Sequence, residues 1–309
     1  MIVTVTLNPA IDVSYHVPHF QIDKGHRVEN GNKTAGGKGL NVSRVLKQLG
    51  SEPLCTGFLG GGSGAWIEKK LIDEELKHSF VQIDEETRTC LAMIDEHGGT
   101  QTELMEKGPV VNEQEIEKFQ VSFKHLLEEA TMVVASGSLP AGLPPDFYRE
   151  IGEWARAANI PFLLDTSGKS LELGVEGKPF LIKPNKEELC QYTGKSDLTF
   201  QEMIDAAKGI CAKGVEYVLI SLGAEGALLV GHAITLRAEI PVVSVINPVG
   251  SGDSMVAGMA FALHNHYDSV ECLRWACACG ISNALQATTG TIEIEVVRKL
   301  LSQIKISAL

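Results

Sequence analysis

The chain has 309 residues, 44% of them hydrophobic, and carries 39 acidic against 27 basic side chains for a formal net charge of −12. That length suits one large α/β domain or two small ones, and the apolar fraction is ample for a large buried core. The acidic balance, with no long basic run to offset it, argues against a nucleic-acid-binding surface but leaves room for a compact basic site for a small anion.

"MIVTVTL" opens the chain as an apolar, β-branched strand. It lacks the basic n-region, long apolar stretch and cleavage site of a signal peptide. No run of about eighteen apolar residues occurs anywhere, so no transmembrane helix is expected. The next segment, 13–34, is polar with short β-like pieces, and "LNVSRVLKQLG" after it has helical spacing. "PLCTGFLG" reads as a strand, and Gly60 to Gly64, "GGGSG", as a turn; it lacks the dinucleotide-binding pattern with an acidic residue about twenty positions on. Residues 88–107 read as a hairpin of two alternating strands around His97-Gly98-Gly99.

Beyond the hairpin, helical patterns ("EQEIEKFQVSFKHLLEEA", "PDFYREIGEWARAAN", "FQEMIDAAKGICAKG") alternate with apolar strands ("TMVVAS", "PFLLD", "FLIK", "YVLISLG", "GALLVG"). Continuous apolar strands separated by helices predict a mostly parallel sheet covered on both faces. From Ser251 onward the pattern is nearly all helical. Segments 13–34 and 88–107 are too polar for a core of their own, so they are expected to form a small sheet over the carboxyl ends of the main strands, where open α/β proteins place ligands. One domain spanning 1–309 with that small lid is the expected organisation. The seven cysteines, odd in number and unpaired in spacing, are expected to be reduced and structural. Cys277 and Cys279 sit two apart in a helical pattern, which makes them poor joint metal ligands. A cytoplasmic location is expected.

Two glycine-rich stretches stand at helix starts. In "AGGKGLNVSRVLKQLG" (35–50), Gly36, Gly37 and Gly39 let the backbone approach a ligand, Lys38 adds a cation, and Asn41 adds a donor and an acceptor. The spacing is not that of a Walker A loop, and an ordinary strand-to-helix turn is the competing reading. In "NPVGSGDSMVAG" (247–258), Gly250, Ser251 and Gly252 can converge their amides on an anion, with Asp253 in the first helical turn. A carboxylate beside an anion hole makes sense if a hydroxyl must lose its proton as a phosphoryl group arrives. An Asp that merely stabilises a helix dipole is the alternative.

Together these stretches resemble the two signatures of the PfkB (ribokinase-like) carbohydrate kinases. "TLNPAID", "SGSLP" (136–140), "KPNKEEL" (183–189) and "SLGAEGAL" (221–228) extend the resemblance along the whole chain. "TLNPAID" with "KTAGGKGLNVSRV" is most similar to the family's phosphosugar branch. The resemblance implies a ribokinase-like three-layer α/β/α sandwich with a β-sheet lid. It also implies an ATP- and Mg2+-dependent kinase acting on tagatose 6-phosphate, with fructose 1-phosphate as the alternative acceptor.

By the same resemblance Asp253 is the catalytic base and Gly250 to Gly252 the anion hole. Asp12 binds sugar hydroxyls; Gly37, Lys38, Asn41 and Arg88 hold the sugar phosphate; Ser138 lines the sugar site. Lys183, Asn185, Ser221, Gly223, Gly226 and Asn283 fall on the ATP side, and Glu188 acts indirectly on Mg2+. Asn185 and Glu188 also read as a capping box, and "SLGAEG" as an ordinary hairpin loop. Lid strands in this family often make dimer contacts, so a homodimer through the lid is a further expectation. A dinucleotide oxidoreductase is disfavoured by the missing spacing, and a non-catalytic sugar-phosphate sensor by the intact Gly-Ser-Gly-Asp.

Overall fold

The computed structural model describes residues 1–29 and 31–309; Asn30, inside the expected lid segment 13–34, lies outside the described residues. In chain order the elements are β1 (Ile2–Thr6), β2 (Ala10–Val17), β3 (Asn32–Gly36), α1 (Lys38–Gln48), β4 (Leu54–Gly60), α2 (Gly61–Asp73), β5 (Lys77–Ile83), β6 (Arg88–Asp95), β7 (Thr100–Met105), α3 (Glu113–Leu127), β8 (Met132–Ser136), α4 (Phe147–Ala157), β9 (Phe162–Asp165), α5 (Gly168–Gly174), β10 (Leu181–Ile182), α6 (Lys186–Thr193), α7 (Phe200–Cys211), β11 (Tyr217–Ser221), β12 (Ala227–Gly231), β13 (Thr235–Glu239), α8 (Ser251–His264), α9 (Ser269–Ala284), α10 (Ile294–Leu301) and β14 (Lys305–Ala308).

Ten strands form the main sheet in the order β14-β13-β12-β11-β10-β9-β8-β1-β4-β5. The run from β5 to β11 is parallel, and β12, β13 and β14 continue it antiparallel. Both faces are covered, as the continuous apolar strands predict. Val3 and Val5 of β1 pack with Phe119, Phe123 and Ile151 on one face, while Val42, Val45 and Leu46 of α1 pack with α8 and α9 on the other. The expected three layers are present.

Side-chain alternation along parallel strands has a consequence at the carboxyl edge. Ile2, Met132, Val134, Leu163 and Leu181 all face the α1/α8 layer. Counting by twos, Thr6, Ser136 and Asp165 therefore end three adjacent strands on that same face, and Lys183 directly follows the next one, β10. A polar row closes an otherwise apolar surface, directly below the starts of α1 and α8.

The second sheet has the order β3-β2-β6-β7. Strand β2 runs parallel to β6 from Ala10↔Arg88 to Val17↔Asp95, and β3 and β7 pair antiparallel on either side. The 88–107 hairpin thus forms with its turn where expected. The first lid segment differs: β2 starts at Ala10 and β3 runs to Gly36, so the small sheet reaches into "TLNPAID" and into the glycine-rich stretch that begins at Ala35.

Another expectation needs correction. "GGGSG" is not a turn: Gly60 is the N-cap of α2 and Gly61 its first residue. The carboxylate of Glu86 lies over this helix start and accepts from the amides of Gly62 and Ser63, and a Cβ on Gly61 would collide with it. The glycines make space for a capping group 25 residues away, which a local reading cannot see. From Ser251 onward the chain is nearly all helical, as read, with one addition: β14 returns to pair with β13 at the sheet edge. All seven cysteines are free.

Candidate active site

The site lies where α1 and α8 begin. Each helix follows a glycine at positive φ, Gly37 at 123° and Gly250 at 82°, and neither start has a side-chain cap. A Cβ at Gly37 would press on Thr6, and one at Gly250 on Thr289, so both positions demand glycine twice over. The amide of Ser251 turns back to the carbonyl of Pro248 at 3.2 Å. Those of Gly252 and Asp253, in the first turn, have no intrahelical acceptor and are open to an anion. The Ser251 hydroxyl is buried without a partner.

Asp253 is 6% exposed. The amide of Asn41 donates to its Oδ2 at 2.8 Å, and Arg44 Nη1 donates to Asn41 Oδ1 at 3.1 Å, which fixes the orientation of that amide. Arg44 is in turn held by Glu74 at 2.7 Å and by the carbonyl of Ala35. Burial, then the nearby Asp165 carboxylate, push the Asp253 carboxyl up to about 6, while Lys38, Asn41 and Lys183 pull the other way. A carboxylate so placed is ionised near neutral pH yet basic enough to take a proton.

Asp165, absent from the expected site residues, is fully buried at the end of β9. Lys183 Nζ stands 3.2 Å from its Oδ1 and Lys38 Nζ 3.7 Å from its Oδ2. Neither oxygen has a well-directed hydrogen-bond donor. Asp165 is the main cause of a Lys38 pKa above the ordinary lysine value. A Cβ on Gly252 would lie 3.2 Å from Lys183 Nζ, so the ammonium sits against the open end of α8. In sequence the only signal was a carboxylate ending a buried parallel strand, "PFLLD".

On the lid side, Asp12 of β2 fills the space left by Gly36, where any side chain would collide with its carboxylate. Burial raises the Asp12 carboxyl to about 6 against the pull of Arg88 and Arg44. Arg88 begins β6, beside Ala10. Its guanidinium donates to the carbonyls of Asn8 and Glu106, both at 2.9 Å, so it ties the hairpin's two ends to the β1–β2 connection. Asn8 donates to Ser138 Oγ at 3.1 Å and to the carbonyl of Lys107 at 3.0 Å, which places Ser138 at the same junction.

On the other side, Asn185 and Glu188 form the expected capping box, each side chain accepting at 2.8 Å from the other's backbone amide. Ser221 ends β11, the last parallel strand, and its amide donates to the carbonyl of Pro184 at 3.1 Å. The "SLGAEG" turn is also a hairpin between β11 and β12, with Gly223 at φ 58° and Gly226 at 91°. Asn185, Ser221 and Gly223 line a groove of about 450 Å³ together with Lys186, Asp197 and Phe200. Asn283 is different. It is wholly buried, donating to the carbonyl of Val249 and accepting from the amide of Gly290, both at 2.9 Å. It pins the loops on either side of α8 and α9 from beneath.

No helix among the described residues is long and apolar enough to cross a membrane. Two open helix starts around a buried carboxylate, on the carboxyl edge of a parallel sheet, have the layout that a phosphoryl-transfer site needs. Residues 3–295 match the pfkB family carbohydrate kinases, and the chain belongs to that family. It shares 32% identity with a candidate phosphofructokinase of Staphylococcus aureus, over 100% of this chain and 99% of that one, with a TM-score of 0.85. Phosphofructokinase-2 of Escherichia coli, solved with potassium, is 27% identical over 97% and 98% of the chains, TM-score 0.91. A candidate 1-phosphofructokinase of Thermotoga maritima is 25% identical over 100% and 99%, TM-score 0.89. The fold is the ribokinase-like one, and the activity is phosphotransfer to a sugar hydroxyl.

Proposed function

We infer that this kinase transfers the γ-phosphoryl group of ATP to a primary hydroxyl of a ketohexose monophosphate, with tagatose 6-phosphate as the acceptor. The observation that carries the reading is the Asn41–Asp253 contact, which joins the sugar-phosphate signature to the base. Asp12 would take sugar hydroxyls, and Lys38 and Arg88, with Ser138 and Gly37 beside them, would hold the phosphate already on the sugar. Asp253 would accept the proton of the attacking hydroxyl. The free amides of α8, with Gly250 and Ser251, and the ammonium of Lys183 would receive charge on the transferring group. Asn185, Ser221, Gly223 and Gly226 would line the nucleotide.

The orphaned Ser251 hydroxyl and the unpaired amides fit a nucleotide phosphate. Among the described residues no group of three His, Cys, Asp or Glu could hold a metal ion alone. Mg2+ would therefore be carried mainly by the nucleotide, where it neutralises phosphate charge, with Glu188 ordering its surroundings through the oxygen not used in the capping box. ATP dependence points to the cytoplasm. Leu104 and Met105, 57% and 70% exposed on β7, give a lid surface on which a second copy could pair.

A second reading, fructose 1-phosphate or fructose 6-phosphate as acceptor, is favoured by the phosphofructokinases among the similar structures. The ring of fructose 1-phosphate presents phosphate and free CH2OH at exchanged ends, so one cationic site can orient any of the three. Coupled ADP-release kinetics across the three phosphosugars and their unphosphorylated parents tests both readings. The highest kcat/KM on tagatose 6-phosphate supports the first, a preference for a fructose phosphate supports the second, and no turnover on any would overturn both.

A further inference from the structure

Asp165 takes no part in the transfer as described, yet it is the most confined charge in the site. It ends β9 with zero side-chain exposure, between the two lysines that reach the start of α8. Lys183 is itself only 5% exposed and lies against Gly252. An ammonium in that position faces the positive end of a helix, an arrangement that disfavours its charge unless an anion is close. Asp165 supplies one at 3.2 Å, and Asp253 is near enough for the ammonium to act on it. Buried ion pairs usually satisfy their oxygens with well-directed donors, and this one does not. The two lysines are shared by a carboxylate that binds neither of them with good geometry.

We propose that Asp165 is a positioning residue that stands in for phosphate: its carboxylate keeps Lys38 and Lys183 charged and in place until a phosphate group takes over as their counter-ion. The proposal deepens the phosphotransfer reading above and rests on it. Loose geometry is what such a role requires, because a counter-ion that gripped both ammoniums would compete with the ligand. The groups facing Asp253 are Lys38 from α1, Asp165 from β9, Lys183 from the β10–α6 link and the Asn41 amide from α1; Glu188 from α6 acts on Lys38. After burial, Asp165 is the next largest influence that raises Asp253, so it also helps keep the base basic.

The test is the isosteric variant Asp165→Asn, read by thermal unfolding and by calorimetry with inorganic phosphate and with MgATP. Without its counter-ion the free protein carries an uncompensated buried ammonium, so its Tm should fall. Phosphate should restore the lost stability, and its Kd should tighten by about threefold or more, since ligand now relieves a strain the wild type lacks. A merely structural Asp would lower Tm with no extra recovery and with equal or weaker phosphate binding, which would overturn the proposal. Stabilisation of the wild type but not the variant by Mg2+ alone would overturn it as well, since the carboxylate would then be a metal ligand. Should Asp165→Asn not fold, the double variant Asp165→Asn/Lys183→Met removes both charges and should fold; a double variant no more stable than the single one counts against the idea. Phosphate binding needs no sugar, so failure on every ketohexose phosphate would sink the substrate reading and leave this measurement standing.

Discussion

The side-chain amide of Asn41 donates to the carboxylate of Asp253 across 2.8 Å, linking the first turn of α1 to the first turn of α8. Arg44 holds the far side of that amide, so its nitrogen rather than its oxygen faces the base. The contact therefore favours the ionised form of Asp253. A hydrogen bond to a charged group is worth about 1.5–3 kcal/mol, which corresponds to a pKa change of about one unit or more. Asn41→Ala should move the acid limb of kcat/KM upward by about that much, from about 6 toward 7, and lower kcat/KM at pH 7 by about twofold or more. An unmoved limb would mean that Asn41 serves the sugar phosphate alone.

Asp253→Asn removes the base while keeping shape, so turnover should fall by about 10²–10⁴ with little change in nucleotide affinity. The same variant should be more stable than the wild type. With its carboxyl raised to about 6, Asp253 binds its proton more readily in the folded chain than in the unfolded one. Its contribution is therefore most favourable at low pH and is lost as pH rises from the ordinary carboxyl value to about 6. The asparagine escapes that loss. Thermal or urea unfolding should show a gain on the order of 1–3 kcal/mol at pH 8 that fades between pH 6 and pH 4. A gain independent of pH would point to packing instead.

Lys38→Ala and Arg88→Ala should impair use of phosphosugars far more than any residual use of free ketohexoses, because only the former offer a phosphate to contact. The two should also differ from each other. Arg88 ties the carbonyls of Asn8 and Glu106, so its loss should loosen the hairpin and lower kcat together with affinity. Lys38, at the start of α1, should act mainly on KM. Steady-state kinetics on both substrate types, with limited proteolysis of the 88–107 hairpin, separates the cases; identical behaviour would remove the hairpin's part in closure.

Glu188→Gln keeps an oxygen for the Asn185 amide, so the capping box survives and Tm should change by no more than a few degrees. The lost charge should instead raise the Mg2+ concentration needed for half-maximal activity by severalfold. A Mg2+ titration beside a melting curve checks this. An unchanged titration with a fallen Tm would leave Glu188 a cap and nothing more.

What could be read in the sequence is what local physics forces. Gly37 and Gly250 combine positive φ with no room for a Cβ, so their positions carry the site by themselves. Apolar runs such as "TMVVAS" and "PFLLD" announce buried parallel strands because both faces are covered. Strands β13 and β14 were not legible, since they lie at the sheet's antiparallel edge and β14 is largely exposed, leaving no continuous apolar run. Distance in sequence hid the rest. Glu86 explains the glycines of α2 only once the chain is folded, and Asp165 looks like any carboxylate that ends a strand until Lys38 and Lys183 are seen on either side. Asn283 shows the converse: a buried asparagine that clamps two loops has the same local pattern as one that meets a ligand.

Helix α1 depends on partners made very late. Asn41 and Asp253 are 212 residues apart, and the Gln48 side chain bonds the carbonyl of Gly290 and the amide of Ile292, 242 and 244 residues away. At ribosomal speeds of about 5–20 residues per second, the interval between making Asn41 and making Asp253 is roughly 10–40 s. Throughout it, Val42, Val45 and Leu46 have no α8 to pack on. For tens of seconds of synthesis the α8-facing side of this segment thus has no partner to bury it, and the site has no base until residue 253 has been made.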